Sequence, residues 1–256
     1  MAETKNSRIA AAMLVMVICF SEIHAWGGYG GGSGTSTDPF LIETAEQLNT
    51  IGTDPNNWGK HFKLVADIDL STYPTDWFHP IGSSGGFTNL QPFKGVFDGD
   101  GHAIIGLSYS TQEVYSTGLF AYVRGDRASV KNLRLIAPRI DAPKATRVGA
   151  LIGISSYGVT VVNCSALNVT ITGNDYVGGL IGQCSGPIQS CSCTGVVASN
   201  GLAGGLTAAT DGGKVVECHF DGAVTGKNNV GGLIGSNRVD ITSCSTAGSV
   251  TGYSQV

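Results

Sequence analysis

The sequence predicts an all-β fold: a right-handed parallel β-helix (β-solenoid) with a short N-terminal capping helix. Three observations predict it. The 256 residues include 38 glycines and only 13% charged residues, a balance that favours strands and turns over helices. A Gly-Leu-x-Gly unit recurs five times, beginning at Gly118, Ala150, Gly179, Gly205 and Gly232, at intervals of 26 to 32 residues. Cys164, Cys191, Cys218 and Cys244 keep step with it, 26 or 27 residues apart. A fixed period of this size implies coils stacked along an axis, because no single unit can bury its own apolar residues.

Residues 1–25 have the parts of a secretory signal. Lys5 and Arg8 form the positive n-region, Ile9 to Phe20 the apolar stretch, and Ala25 the cleavage point before Trp26. The apolar stretch is short of the roughly 20 residues that span a bilayer. Ile18 and Phe20 around Cys19 argue against lipidation. The sequence thus predicts an exported chain, secreted or at the cell surface, with no transmembrane segment in its mature part. Residues 26–37 read as a Gly/Ser-rich linker.

Residues 38–117 read as the N-terminal cap and first coils. Thr44-Ala45-Glu46-Gln47 has capping-box spacing, and Leu48 and Ile51 follow on one helical face. This predicts a helix of about two turns laid over the open end of the solenoid. Lys63 to Leu70 alternates as one strand, and Val96-Phe97 and Ala103-Ile104-Ile105 are two strands joined through the tight turn Asp98-Gly99-Asp100-Gly101-His102. The stretch from Ser71 to Gln91 has no clear period.

Residues 118–256 read as the solenoid repeats. Val148-Gly149, Val177-Gly178 and Val230-Gly231 lead into their signatures, and a β-branched residue stands three before each cysteine: Val161, Ile188, Val215 and Ile241. A third strand ends in glycine, as in Val169 to Gly173, Ala223 to Gly226 and Ser249 to Gly252. Three strand-like bursts per coil follow, with Gly179, Leu180, Gly182, Gly205, Leu206, Gly232, Leu233 and Gly235 filling corners and core. The glycines are expected where φ is positive or the backbone approaches closely. Val177 and Leu180 are three apart, as are Val161 and Cys164, so strict alternation sends them to opposite faces unless a bend intervenes. The fourth unit, with Leu202-Ala203 and Thr207-Ala208, departs from the pattern and is expected to be looser or to carry an outward feature. The chain stops where another unit is due, so further repeats or domains beyond Val256 are expected.

The order of these motifs resembles the GLUG motif repeats of secreted and surface bacterial proteins. Asp38-Pro39-Phe40-Leu41-Ile42, Glu46-Gln47-Leu48, Phe62 to Leu70, Pro80-Ile81-Gly82 and Phe93 to His102 resemble the block that introduces such repeats. The resemblance implies a parallel β-helix of adhesin-like surface proteins and no shared catalytic residues.

The chemistry legible in the sequence is sparse. A net charge of −4 without a basic cluster argues against nucleic acid. The four laddered cysteines are expected as buried thiols, since parallel neighbours one coil apart place Cβ atoms about 4.8 Å apart, beyond disulfide reach. Cys184 and Cys193 lie off that ladder and are the better candidates for a bridge. A metal site at Cys191, Cys193, Cys218 and His219 lacks a paired C-x-x-C, and Asp98 to His102 lacks the ligands that complete a calcium loop. Scattered acids give no carboxylate pair for glycoside hydrolysis. The expectation is therefore no catalytic, cofactor or metal residue, and a structural or adhesive module whose partners are an extracellular glycan or surface protein. The alternatives are a polysaccharide-acting β-helix enzyme and the non-catalytic stalk of a larger surface protease.

Overall fold

A computed structural model describes residues 28–84, 90–112 and 115–254; the signal segment of residues 1–25 lies outside them. The chain is a right-handed parallel β-solenoid with one short α-helix near its start. Each full coil has four strand segments. In one coil they are Arg147–Val148, Ile152–Ser155, Thr160–Val162 and Ser165–Gly173, which we call the lead, signature, valine and long faces. Strands of one face pair in parallel from coil to coil. The expected third strand, Val169 to Gly173, is the second half of the long-face strand, and the lead is a separate strand, so three bursts become four.

The valine face is the longest stack, with eight strands in register among the described residues. Its inward row runs Phe40, Phe62, Phe97, Val130, Val161, Ile188, Val215, Ile241. On this face aromatics fill the first coils and β-branched residues the later ones. Tyr29, Phe93 and Phe120 extend the aromatic end with centroid separations of 4.7 to 6.0 Å. The inward row of the long face runs Ile68, Ile104, Leu135, Ala166, Cys193, Phe220, Thr246.

The helix Ala45–Thr53 begins at Thr44, whose hydroxyl accepts from the Gln47 N–H, while the Gln47 side chain accepts from the Thr44 N–H. Ala45, Leu48 and Ile51 are its buried residues. The other side reaches the next coil: Asn49 donates to the Trp77 carbonyl at 3.1 Å and accepts from the His79 N–H at 2.7 Å. The helix is therefore held between the first strand and residues 73–79 of the following coil.

Residues 28–37, expected as a linker, instead cover the edge of the first strand. Gly30 N–H donates to the Leu41 carbonyl at 2.8 Å and Leu41 N–H to the Gly31 carbonyl at 2.9 Å. Tyr29 is the reason. Its ring is buried against Phe40 and Phe62, and burial pushes its phenol up to about 12. A single aromatic in a glycine-rich stretch supplies the apolar surface that the composition hides.

Lys63 to Leu70 is two strands, His61–Leu64 and Ile68–Asp69, with a corner between them. Leu64 pairs on the valine face and Ile68 on the long face, so the chain turns between them although the alternation of buried and exposed residues runs through unbroken. The unperiodic stretch before Gln91 puts Ile81 beside the signature face through a bridge to Phe120, Phe93 just after it bridges Val123, and an antiparallel pair, Ser83–Ser84 and Leu90–Gln91, lies between them.

The two alternation conflicts resolve at corners. Val177 lies in the strand Tyr176–Gly178, the next strand is Ile181–Cys184, and the bend at Gly179-Leu180 lets both Val177 and Leu180 point inward. Between Val161 and Cys164 the chain turns at Asn163, with φ +53°. That corner recurs at Asn132, Ser190, Glu217 and Ser243, all in the left-handed region with φ between +52° and +55°. The recurring left-handed corner is thus built from non-glycine residues, and the signature glycines have another task. Gly178 and Gly182 let the lead and signature faces lie backbone against backbone: a Cβ at Gly182 would fall 2.5 Å from the Gly153 carbonyl oxygen and 2.7 Å from the Val148 nitrogen.

The fourth unit is as tightly paired as its neighbours. Ile181, Thr207 and Ile234 are in register, and Thr207 to Thr210 are all buried. Alanine at 208 and threonine at 207 fit because both positions lie between packed faces. The last coil, by contrast, exposes Ile241 and Val250, inward residues of the valine and long faces.

A candidate binding groove on the long face

The signature residues lie inside. Leu119, Leu151, Leu180 and Leu206 are fully buried, and their backbones are linked coil to coil: the Leu151 N–H donates to the Leu180 carbonyl at 2.9 Å and that of Leu180 to Leu206 at 3.0 Å. Leu206 donates in turn to Leu233, which is half-buried in the last coil.

Cys164, Cys191, Cys218 and Cys244 follow the left-handed corners, and each thiol bonds two carbonyls. Cys191 Sγ donates to Gln189 O at 3.1 Å and to Val161 O of the preceding coil at 3.7 Å; Cys218 Sγ does the same to Val216 O at 3.2 Å and Ile188 O at 3.8 Å. The neighbouring thiol, Cys164 for Cys191 and Cys191 for Cys218, acts with burial to push both well above the ordinary range. Cys184 and Cys193, the candidates for a bridge, are free thiols on different faces, Cys184 on the signature face and Cys193 on the long face. Burial raises both. These are groups placed for packing, not for nucleophilic attack, which needs the thiolate.

The remaining sequence candidates are spoken for. Asp98 Oδ1 accepts from the Asp100 N–H and the Asn132 amide, both at 2.9 Å, and its Oδ2 pairs with Lys131 at 3.1 Å. Burial alone would raise this carboxyl, but these bonds together hold it below the usual range. Asp67 accepts from the Ala103 N–H at 2.8 Å and from His102 at 3.2 Å, which lowers it. The Asp98 to His102 segment is a corner tied to its neighbours on both sides. His219 points outward and bonds the Ser245 hydroxyl at 2.8 Å, away from the inward Cys218. Among the described residues no three His, Cys, Asp or Glu side chains are grouped to hold a metal.

The surface with room for a ligand is the outer side of the long face. A groove of about 820 Å³ runs over Thr172, Ala198 and Thr225, with Pro143, Asn200, Lys227 and Tyr253 along its flank. A second hollow of about 360 Å³ continues it through Asp141 and Thr172 to Ser108 and Ser110. One row in register lines the floor, from Ser110 through Asp141, Thr172 and Ala198 to Thr225, and Thr251 continues the row beyond it. Thr172 Oγ1 donates to Asp141 Oδ1 at 2.5 Å, fixing the carboxylate toward the floor. Tyr253 stands at one end, 88% exposed. Sequence reasoning missed these residues although a signal was present. Ile171-Thr172-Gly173, Val224-Thr225-Gly226 and Val250-Thr251-Gly252 alternate an inward aliphatic with an outward threonine.

No family model matches the chain. It is 30% identical to Halomucin of Haloquadratum walsbyi over 80% of its own length and 3% of that protein's. It is 34% identical to the "Putative Gly-rich membrane protein" of Evansella cellulosilytica over 59% of its length and 18% of that protein's. The chain thus spans a small part of both relatives. The crystal structure of a putative immunoglobulin A1 protease from Bacteroides ovatus superposes with a TM-score of 0.55, over 88% of this chain and 86% of that one, at 17% identity. That likeness is one of fold. Among the described residues no helix is long and apolar enough to cross a membrane.

Proposed function

We propose that the chain is an exported structural module of GLUG type, a stiff rod held at the cell surface or released from it, whose outer rows contact extracellular glycans or proteins. The observation that carries this reading is the division of labour between the two sides of each strand. The signature leucines and corner cysteines are consumed by stacking, and the outer rows of the strands are left free to meet a partner, as on a scaffold that presents a surface. The signal-like segment before Trp26 and the names of the two relatives, a halomucin and a membrane protein, support export.

Membrane-impermeant biotinylation of intact cells tests it. The reading expects labelling of this chain without lysis, on outward lysines such as Lys144 and Lys214. Recovery of the unlabelled chain from the cytosol alone would sink it. A second reading, a non-catalytic stalk within a larger exported protein, is favoured by the small share of both relatives that the chain covers.

A further inference from the structure

The groove on the long face differs from the rest of the rod in shape and lining. Its floor carries the hydroxyls of Ser110, Thr172 and Thr225, and opens at Ala198, where a small side chain stands between Thr172 and Thr225, with Tyr253 of the last coil at its end. Six coils contribute, which at about 4.8 Å per coil gives a track of roughly 24 Å parallel to the axis. Its charges are few and of both signs, Asp141 within it, Lys227 on the flank and Arg139 in the second hollow. The main chain beneath is already bonded to the coils on either side, so an extended peptide finds no strand edge there to pair with. An occupant must be recognised by side-chain hydroxyls, an amide and an aromatic ring.

We infer that this groove binds an extended, neutral, hydroxyl-rich glycan lying along the solenoid axis. The inference deepens the proposal of an exposed rod by naming the partner's chemistry. A pyranose chain offers one set of ring hydroxyls to each coil in turn, facing Thr172 and Thr225, with the amide of Asn200 on the flank and the exposed ring of Tyr253 at the end of the track. Asp141, oriented by Thr172, accepts from a sugar hydroxyl without demanding a cation.

Calorimetric titration of the purified chain with cellohexaose and maltohexaose tests this, with hexagalacturonate as the charged comparison. The expected result is saturable binding of a neutral hexasaccharide. Ala198→Arg, which fills the floor, and Tyr253→Ala should each weaken it about tenfold or more, a loss of about 1.4 kcal/mol or more. Tyr157→Ala, at an exposed site off the groove, should leave it unchanged, and the circular dichroism spectrum of each variant should match the parent. No binding of either neutral sugar, binding indifferent to Ala198→Arg, or tighter binding of hexagalacturonate would overturn the inference. A chain that is labelled on intact cells yet ignores both sugars sinks the groove and leaves the rod. One that binds a sugar but stays in the cytosol does the reverse.

Discussion

Gly205, the first glycine of the fourth signature, packs against the ring of Phe220 on the long face, with no room for a methyl group between them. The same position one coil earlier, Gly179, lies against Cys193 Sγ, and one coil later Gly232 lies 2.8 Å, measured from an added Cβ, from Thr246 Oγ1. The signature glycine is therefore matched to whatever inward side chain crosses the interior from the long face. Gly205→Ala should destabilise the chain by about 1–3 kcal/mol or more, since the added methyl overlaps both Phe220 and the Gly232 backbone. Phe220→Val in the same chain should recover only part of that loss. Denaturant unfolding of both single variants and the double variant measures the coupling.

The thiols should be silent in the folded protein. Cys164, Cys184, Cys191, Cys193 and Cys218 are buried, and Cys244 is partly covered in the last coil. Titration with a chromogenic disulfide reagent at pH 8 should find Cys244 reacting first and slowly, and the other five only after denaturant is added. Rapid modification of Cys191 or Cys218 in the native state would contradict the corner ladder.

The left-handed corners set a residue preference that glycine content does not reveal. Glu217 stands at φ +55° and accepts from the Ser190 hydroxyl at 2.9 Å. Glu217→Val places a β-branched residue where it is least tolerated and should cost about 1–2 kcal/mol. Glu217→Asn should be neutral or slightly stabilising, because asparagine enters this region readily. Melting temperatures of the two variants should differ in that order.

Acid should loosen the N-terminal coils first. Asp67, Asp69 and Asp98 all lie there with carboxyls held below the usual range. Their folded values are below the unfolded ones, so the stability they contribute is complete above about pH 4 and is lost as pH falls through the folded values. Amide exchange at Phe97 and Ile104 should accelerate below that pH before exchange at Val197 does. Asp67→Asn should flatten the difference.

What the sequence made legible follows from where its periodicity comes from. The period of the signature and the cysteines reports the coil, and the capping box at Thr44 reports the helix, because both are local constraints written in few residues. The split of Lys63 to Leu70 into two strands was hidden, since the corner at residues 65–67 leaves the alternation of buried and exposed residues unbroken. The cover formed by residues 28–37 was hidden by composition, with Tyr29 alone carrying its burial. The groove was hidden because its floor belongs to outward threonines, which a search for repeated apolar residues passes over.

The central claim is that each repeat is one coil and that equivalent outward residues stack along the axis. Arg134, Ser165, Ser192, His219 and Ser245 form one such outer row. Spin labels on Arg134→Cys and Ser245→Cys in a Cys244→Ser background, with the five buried native thiols left unlabelled, measure it by dipolar spectroscopy. Four coil steps predict a single narrow distance near 19 Å, widened by a few ångströms for the label arms. A distance beyond about twice that, or a broad distribution, would contradict the stack.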